Sequence, residues 1–385
     1  MVPIRWWSKK GKVIPNWFST GFTRRVLVSS LDRPFRKGIH YKHNNLFESL
    51  EMAQVFHELE HQVDVVNYDS RAEIDYTRYQ VVFGSGPPLE RVFLQEHICR
   101  PRTILYLCGA YPSVNNRASL DRLQVVHRGR DVWLAASARL GDPGVGVERV
   151  VDGLIVLGNA VTAEPYRAAT SRPVHQLPLL FLQTVDPEEI LRARDLSLAR
   201  NHFLWFAGTG LVHKGLDLVL EAFARHPGLH LHVFGAIDSE PGFVEAYRKE
   251  LRETPNVHVE GFLALESPAF RAALLASAFV ICPSCSEACN SSVLNICGNG
   301  GNLPVLTRQN GIDLDDFGIL VRDTTVEAVE AALAEAAALT GAELDRRLRR
   351  CAAFFQREHS RERFHLRMKE AVQAILDAPG PGGRP

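Results

Sequence analysis

Residues 208–215 are the first stretch of the sequence whose residue types suit the binding of a phosphate. Gly208 and Gly210 follow an apolar segment, and Lys214 precedes a segment with helical periodicity. Glycines let a ligand approach the backbone closely, and the unpaired N–H groups at a helix start favour an anion. The pattern predicts a turn that binds a diphosphate, although its spacing is neither a dinucleotide fingerprint nor a P-loop. A tight strand-to-helix turn with a solvated lysine is the alternative.

A second stretch, residues 283–295, places one carboxylate beside the predicted start of a helix. Glu287 follows an apolar, strand-like segment, and Asn290 comes three residues later, followed by two serines. Asn and Ser are good N-cap residues, so we expect the helix to begin near 290–292. A carboxylate beside an anion site needs hydroxyls or a cation as partners, and a sugar attached to a phosphate supplies hydroxyls. The alternative is that Glu287 only complements the helix dipole.

Short apolar segments alternate with segments of helical periodicity along most of the chain. Strands are predicted in the first half at 26–30, 63–67, 79–83, 103–107 and 153–157. They are predicted in the second half at 203–207, 229–234, 256–260, 279–282, 304–307 and 318–321. The helices include 46–59, 214–225, 325–339 and a long final helix over 342–376. This alternation predicts an α/β fold with two successive, parallel, doubly wound sheets.

The segments 203–217, 233–235, 259–262 and 282–293 resemble, in their order and spacing, the donor half of glycosyltransferase family 4. The resemblance implies the GT-B fold, in which two Rossmann-like domains face each other and a C-terminal helix returns towards the N-terminal domain. It also implies a nucleotide-diphosphate sugar as donor, retention of the anomeric configuration, and neither a metal nor another cofactor. The implied function is a retaining glycosyltransferase in the synthesis of bacterial polysaccharide, envelope glycan or a glycosylated metabolite.

Site residues can be carried over to the positions that match the family's motifs. Lys214 matches the lysine that contacts the donor diphosphate, and Glu287 matches the first glutamate of the E-x7-E motif, which meets sugar hydroxyls. These two are the expected catalytic residues. The donor site that the resemblance implies comprises Gly208, Thr209, Gly210, Lys214, Glu287, Asn290, Ser291, Ser292 and Asn295.

Two positions depart from the family's pattern. Thr209 stands where a basic residue is usual, and Asn295 stands where the motif has its second glutamate, which accepts from ribose hydroxyls. The Asn295 amide can both donate to and accept from a ribose hydroxyl, so binding there is still possible. The departure leaves the identity of the donor open, and neither its sugar nor its base is predicted. Two other functions stay open: a catalytically silent GT-B homologue that acts as a scaffold, and a nucleotide-sugar epimerase.

The acceptor side carries a weaker signal. The loops at 36–45 and 109–117 both follow predicted strands, and such loops line the crevice between two parallel sheets. His40, Tyr111 and Asn115 are the candidate acceptor-side residues, and the expected acceptor is a carbohydrate or a lipid-linked molecule.

The predicted organisation has five parts. Residues 1–24 are a basic and aromatic segment, 25–190 an acceptor-side domain, and 191–355 a nucleotide-sugar-binding domain. A C-terminal helix at 356–378 and a disordered tail at 379–385 complete the chain.

Composition excludes some partners and compartments. Of the 385 residues, 44 are Lys or Arg and 44 are Asp or Glu, and a net charge of zero argues against a nucleic-acid partner. The cysteines at 282, 285, 289 and 297 are predicted to be small buried side chains instead of a metal site. No apolar run approaches the roughly 20 residues of a membrane span, and no secretory signal is evident, so the cytoplasm is expected.

The first 25 residues contain six Lys or Arg side chains, five Trp or Phe side chains and no Asp or Glu. This combination suits the headgroup region of an anionic bilayer, and it predicts peripheral contact with the inner face of the membrane. The alternative is that the aromatic side chains pack on the N-terminal domain.

Overall fold

The computed structural model describes residues 11–39, 43–96, 100–142, 144 and 146–379. The first half contains a six-stranded parallel sheet in the order β2-β1-β3-β4-β5-β6. Its strands are β1 (Arg24–Ser30), β2 (His61–Asn67), β3 (Val81–Gly84), β4 (Arg102–Leu107), β5 (Gly153–Leu157) and β6 (Val174–Leu177).

The second half contains another six-stranded parallel sheet, in the order β12-β11-β10-β7-β8-β9. Its strands are β7 (His202–Phe206), β8 (His230–Phe234), β9 (Val257–Gly261), β10 (Phe279–Cys282), β11 (Leu303–Leu306) and β12 (Ile319–Leu320). The two sheets confirm the predicted α/β fold with two Rossmann-like domains.

Helices cover the faces of both sheets. The N-terminal half contains α1 (Arg33–Lys37), α2 (Asn44–Glu58), α3 (Pro87–Glu90), α4 (Pro112–Arg130) and α5 (Ala160–Ala169). The linker and second domain contain α6 (Pro187–Ala193), α7 (Leu196–Ala199), α8 (Leu216–Ala224), α9 (Pro241–Ala246), α10 (Arg248–Arg252), α11 (Pro268–Ala276), α12 (Ser291–Gly300) and α13 (Val326–Ala338). The chain ends in α14 (Gly341–Glu358) and α15 (Arg361–Asp377).

Burial explains why the strands could be predicted. All residues of β5 and β10 are buried, as expected for central strands of parallel sheets covered on both faces. Every predicted strand is present, with ends that shift by at most two residues. Strand β6 was not predicted, because it lies at the sheet edge and only its last residue is buried.

The prediction of one continuous helix over 342–376 is wrong. The chain breaks between α14 and α15, where Ser360 caps the N-terminus of α15 by accepting from the Arg363 amide. The His359 ring lies 2.8 Å from the carbonyl oxygen of Leu179, and the His359 carbonyl accepts from the Phe181 amide at 2.9 Å. These contacts tie the break to the linker between the domains, which is the segment between β6 and α7.

The last helix returns to the N-terminal domain, as the resemblance implied. The Arg361 side chain donates to the Glu51 carboxylate at 2.5 Å, and the His365 ring lies 2.7 Å from the other oxygen of that carboxylate. Lys369 pairs with Glu58 at 2.8 Å. Both acids lie on α2, so α15 joins the first domain to the end of the second.

Residues 11–22 pack on the N-terminal domain. Ile14 pairs with Val65 in an antiparallel bridge, and the Trp17 ring meets Phe35 edge-on at 5.2 Å. The Phe18 ring stacks on His57 at 4.2 Å. Trp17 and Phe18, two of the aromatic side chains predicted to contact the membrane, thus pack on the N-terminal domain. Residues 1–10 lie outside the described residues. Within the described chain, no helix is both long and apolar enough to cross a bilayer.

Four histidines form a ladder on one face of β7, β8 and β9. The rings of His202, His230, His232 and His258 stack with centroid separations between 4.6 and 5.6 Å. The His202 Nδ1 lies 2.9 Å from His232 Nε2, and His232 Nδ1 lies 3.3 Å from the Glu260 carboxylate. Burial, and then the three neighbouring imidazoles, lower the pKa of His202 from 6.5 to about 4.

The ladder predicts that stability falls as the pH drops. Between pH 6.5 and 4 the unfolded chain binds a proton at His202 that the folded chain excludes, so acidification favours unfolding. We expect the melting temperature to fall between pH 7 and pH 5, and His202→Gln to reduce that fall. The exposed His127→Gln is the matched control. An unchanged pH dependence in His202→Gln would rule out this contribution.

Candidate active site

Lys214 and Glu287 are brought together by two loops at the carboxyl ends of neighbouring strands. Lys214 ends the turn after β7, where its amide donates to the Gly210 carbonyl at 2.8 Å. Glu287 lies in the loop after β10, and its amide donates to the Gln309 carbonyl at 2.8 Å. A further bond, from the Cys285 amide to the His213 carbonyl at 2.9 Å, joins the two loops directly. The two charged side chains are therefore held by backbone contacts.

The Lys214 ammonium donates to Oε1 of Glu287, and the Arg139 guanidinium lies 3.6 Å from Oε2. The Lys214 and Glu287 side chains are only 7% and 11% exposed, so each needs the other's charge. Burial alone would raise the pKa of Glu287, but Lys214, Arg139 and His213 outweigh it and hold the pKa below its usual range. Glu287 is thus an ionised carboxylate between two cations.

His213 is a neutral member of this group. Burial lowers its pKa to about 4, an effect that Lys214 and Arg139 reinforce and Glu287 opposes. Its Nε2 lies 2.5 Å from the Ser286 carbonyl oxygen, which can only accept, so Nε2 carries the proton. The lysine, the arginine and the glutamate therefore carry the charge of the site at pH 7.

The Glu287 loop is clamped between the two domains. The Ala288 carbonyl accepts from the Thr162 hydroxyl of the N-terminal domain at 2.8 Å. Gly158 from the first domain and Gly311 from the second both lie against this carbonyl, where a side chain on either would collide with it. Both have positive φ, of 108° and 69°. Glycine is thus required on both sides for the domains to close over the loop.

Glu240 occupies part of the glycine turn. Its carboxylate accepts from the Gly210 amide at 2.5 Å and from the Leu211 amide at 3.3 Å. The Ser137 hydroxyl, from the other domain, donates to the same carboxylate. Both amides therefore have a protein partner in this structure, and Gly210 is one of the residues that the sequence predicted for the donor.

A cavity of about 410 Å³ lies in the cleft beside these loops. From the first domain it is lined by Cys108, Gly109, Ala110, Asn115 and residues 138–141, and from the second by Thr209, His213, Ser286, Glu287 and Ala288. Thr209 and Glu287 of the predicted donor set thus line the cavity. Lys214 does not line it, because Glu287 covers its ammonium group. Gly208, next to Thr209, is exposed.

The predicted helix start at 290–292 is present as the first turn of α12. Asn290 is the N-cap, and its side chain accepts from the Val293 amide. The side-chain Nδ2 of Asn290 donates to Oδ1 of Asn310 at 3.0 Å. Ser291 and Ser292 are the first two helical residues and are partly exposed. This turn lies beside the cavity's Glu287 loop without lining the cavity itself.

Asn295 joins the two domains. Its Oδ1 accepts from the Leu182 amide of the linker at 2.8 Å, and its Nδ2 donates to Oδ1 of Asn44 on α2 at 3.0 Å. Asn44 in turn donates to the Leu180 carbonyl at 2.6 Å. A carboxylate could accept from Leu182 but could not donate to Asn44, which accounts for an amide at this position.

The candidate acceptor residues have different surroundings. Asn115 lines the cavity, and its side chain donates to the Arg139 carbonyl at 2.6 Å. Tyr111 precedes α4 and packs edge-on against Tyr166 with a 5.0 Å centroid separation, away from the cavity lining. His40 lies outside the described residues.

Several residues of the site were not among the predicted site residues, including Ser137, Arg139, His213 and Glu240. Ser137, Arg139 and Glu240 lie outside any recognisable motif, and the only signal near Arg139, which follows a largely apolar stretch, is the loop-forming composition of Gly141-Asp142. Among the described residues, no group of His, Cys, Asp or Glu side chains has an arrangement that could hold a metal ion.

Solved structures with this fold have diverged far in sequence. A sucrose-phosphate synthase from Thermosynechococcus elongatus matches with a TM-score of 0.65 and 12% identity, over 92% of this chain and 100% of that one. A glycosyltransferase from Rickettsia africae matches with a TM-score of 0.61 and 11% identity, over 93% and 100%. HepE from Anabaena in complex with UDP matches with a TM-score of 0.59 and 12% identity, over 91% and 100%.

These structures are GT-B glycosyltransferases, and at such low identities the likeness establishes the fold. The chain thus has the GT-B fold that the resemblance implied. No protein-family model and no curated protein sequence matches the chain.

The domain-joining role of Asn295 predicts that Asn295→Glu destabilises the protein. The variant removes the donor to Asn44 and places a carboxylate among buried groups, and an unsatisfied buried partner costs about 1–3 kcal/mol. We expect a lower melting temperature in calorimetry, with Asn201→Glu on the exposed surface as the control. An unchanged melting temperature, together with tighter nucleotide binding, would instead indicate a ribose-binding role for position 295.

Proposed function

We propose that this protein transfers a sugar from a nucleotide-diphosphate sugar to an acceptor hydroxyl in the cavity between its domains. The observation that carries the proposal is the cluster of Lys214, Glu287 and Arg139 beside that cavity. Two cations and one carboxylate leave a net charge of +1, since His213 is neutral at pH 7. Two cations beside one hydrogen-bond-accepting carboxylate suit a diphosphate that carries a sugar, although Glu240 adds a second carboxylate at the neighbouring glycine turn.

The cluster offers a chemical role for each charge. When the bond between sugar and phosphate breaks, negative charge develops on the leaving oxygen, and nearby cations in a water-poor cleft stabilise it. Lys214 and Arg139 are the groups proposed for this role. Glu287 accepts hydrogen bonds from sugar hydroxyls and positions the ring. The positive charge comes from these side chains, so the proposed reaction uses neither a metal nor another cofactor.

Retention of the anomeric configuration is part of the proposal. Glu287 is the one carboxylate among the cavity-lining residues of the described chain, and two cations hold its pKa low, which makes it a poor general base. An acceptor oxygen that attacks from the side of the departing phosphate can pass its proton to that phosphate. This route needs no carboxylate pair of the kind that hydrolases use.

The solved structures with the same fold suggest which donors to test first. One structure of HepE contains UDP-glucose, and other neighbours are named as sucrose-phosphate and trehalose 6-phosphate synthases. We propose a carbohydrate or lipid-linked acceptor and a cytoplasmic site of action, in polysaccharide, envelope glycan or glycosylated-metabolite synthesis. Because residues 11–22 pack on the N-terminal domain, we propose residues 1–10 as the segment that would contact the membrane.

A catalytically silent scaffold is the second candidate. Glu240 occupies the Gly210 and Leu211 amides, and Glu287 covers Lys214. Asn295 is engaged by the linker and α2. The groups that would bind a donor thus already have partners within the protein. A homologue without activity could use the same groups to stabilise its fold.

Two assays distinguish these functions. Thermal shift with UDP, GDP, ADP and their glucose conjugates tests binding, and release of nucleoside diphosphate from the conjugates tests turnover. The proposal predicts a stabilising diphosphate and slow hydrolysis of the matching sugar conjugate without acceptor. Binding without turnover over a wide acceptor panel, or no stabilisation by any diphosphate, would contradict the transferase and favour the scaffold.

The buried pair predicts an unusual pattern in variants of Lys214 and Glu287. Glu287→Gln leaves the buried Lys214 without its carboxylate and should cost about 3–5 kcal/mol of stability, and Lys214→Met should cost less because Arg139 still faces Glu287. The double variant removes both charges and should recover much of that loss, while transfer stays abolished. Chemical denaturation and a transfer assay measure the two effects.

Recovered stability without activity separates the chemical role of the pair from its structural role. A stable double variant that transfers sugar at the normal rate would contradict the proposed roles of both residues.

A further inference from the structure

We propose that Arg139, which belongs to the N-terminal domain, binds the diphosphate of the donor, so that the anion site is complete only when the two domains are closed. This inference rests on the proposed function. It assigns to the first domain a charge that the glycine turn of the second domain lacks, because Thr209 is not basic.

Arg139 is the cation that faces the cavity. Its side chain is 47% exposed, whereas that of Lys214 is 7% exposed and covered by Glu287. Among the cavity-lining residues of the described chain it is the one Lys or Arg. An arriving diphosphate therefore meets Arg139 before it can reach Lys214.

The guanidinium group has donors to spare. Its contact with Glu287 joins one nitrogen to one oxygen at 3.6 Å, which is longer than a hydrogen bond. A guanidinium carries five N–H donors in a planar fork, and this fork matches two phosphate oxygens at once. Arg139 can thus bind a phosphate while Glu287 stays paired with Lys214.

The second domain makes room for this arginine. Gly210 has a φ of 85°, and a Cβ atom on it would come within 2.6 Å of Cγ and Cδ of Arg139. The stem of Arg139 therefore lies against the backbone of the glycine turn. A larger residue at 210 would push it out of the cleft.

Helix α4 fixes the segment that carries Arg139. The Arg139 amide donates to the Ser119 hydroxyl at 3.1 Å, and its carbonyl accepts from Asn115 at 2.6 Å. Asn116 holds Gly141 through two bonds, of 2.7 and 2.8 Å. Asn115 is thus a positioning residue for Arg139, a role different from the acceptor contact that the sequence suggested.

A cross-domain contact lies beside Arg139. The single turn Ala135–Ser137 precedes it, and the Ser137 hydroxyl donates to the Glu240 carboxylate, which also holds the Gly210 and Leu211 amides. Opening the domains would break this contact and withdraw Arg139 from the turn. Diphosphate binding and domain closure are therefore coupled.

The test uses Arg139→Gln, with the exposed Arg117→Gln on α4 as the matched control. Titration calorimetry measures the affinities for UDP, GDP and ADP, each beside its own nucleoside. A lost hydrogen bond to a charged group costs about 1.5–3 kcal/mol. We therefore expect Arg139→Gln to weaken diphosphate binding by about 10- to 150-fold with no change for the nucleoside, and Arg117→Gln to change neither.

A second variant separates charge from structure. Thr209 is exposed and lines the same cavity, so Thr209→Arg in the Arg139→Gln background should restore much of the diphosphate affinity from the other domain. Equal diphosphate affinity in wild type and Arg139→Gln would overturn this inference alone. So would an equal loss for nucleoside and diphosphate. A wild type that binds no diphosphate would overturn the proposed function together with it.

Discussion

The arrangement of the site depends on the burial of two opposite charges side by side. Lys214 and Glu287 come from loops after different strands, and at 7% and 11% exposure each side chain has the other as its nearest opposite charge. The pair therefore fixes the turn after β7 against the loop after β10. It also explains how a lysine suited to a phosphate can be kept inside the protein before any donor arrives. Arg139 adds a second cation, 3.6 Å from the other oxygen of Glu287 and open to the cavity.

The same loop fixes the relation between the domains. The Ala288 carbonyl, one residue after Glu287, is held by Thr162 and approached by a glycine from each domain. Asn295 and Asn44 form a second joint on the linker side, and α15 forms a third. Contacts that position the candidate catalytic group are thus also the contacts that hold the cleft closed. Under the proposed function, this arrangement links access of the substrates to assembly of the site.

Periodicity and burial were enough to predict the two sheets, because central parallel strands such as β5 and β10 are apolar along their whole length. The resemblance assigned Lys214 and Glu287 to the same donor site, since both residues lie in segments that match the family's motifs. Arg139 was not, because its role depends on a contact across the cleft with a residue 71 positions away in sequence, Gly210. The break before Ser360 was also missed, although Ser360 is a local N-cap, because the apolar periodicity continues on both sides of it and the contacts of His359 with the linker are not visible in the sequence.

Asn295 illustrates what a departure from a motif can mean. In the sequence, Asn295 replaces a glutamate that the family uses to bind ribose. In the structure, its amide accepts from the linker and donates to Asn44, and so connects the two domains. Glu240 likewise shows that a glycine turn with the right local pattern can already have an internal carboxylate as its partner.

A crystal structure of the protein with a nucleoside diphosphate that binds it tests the central claim most directly. The account predicts the diphosphate in the cleft, with its oxygens within hydrogen-bonding distance of the Arg139 guanidinium and beside the Lys214–Glu287 pair. A diphosphate bound elsewhere, or one held in the cleft without contact to Arg139 and Lys214, would contradict it.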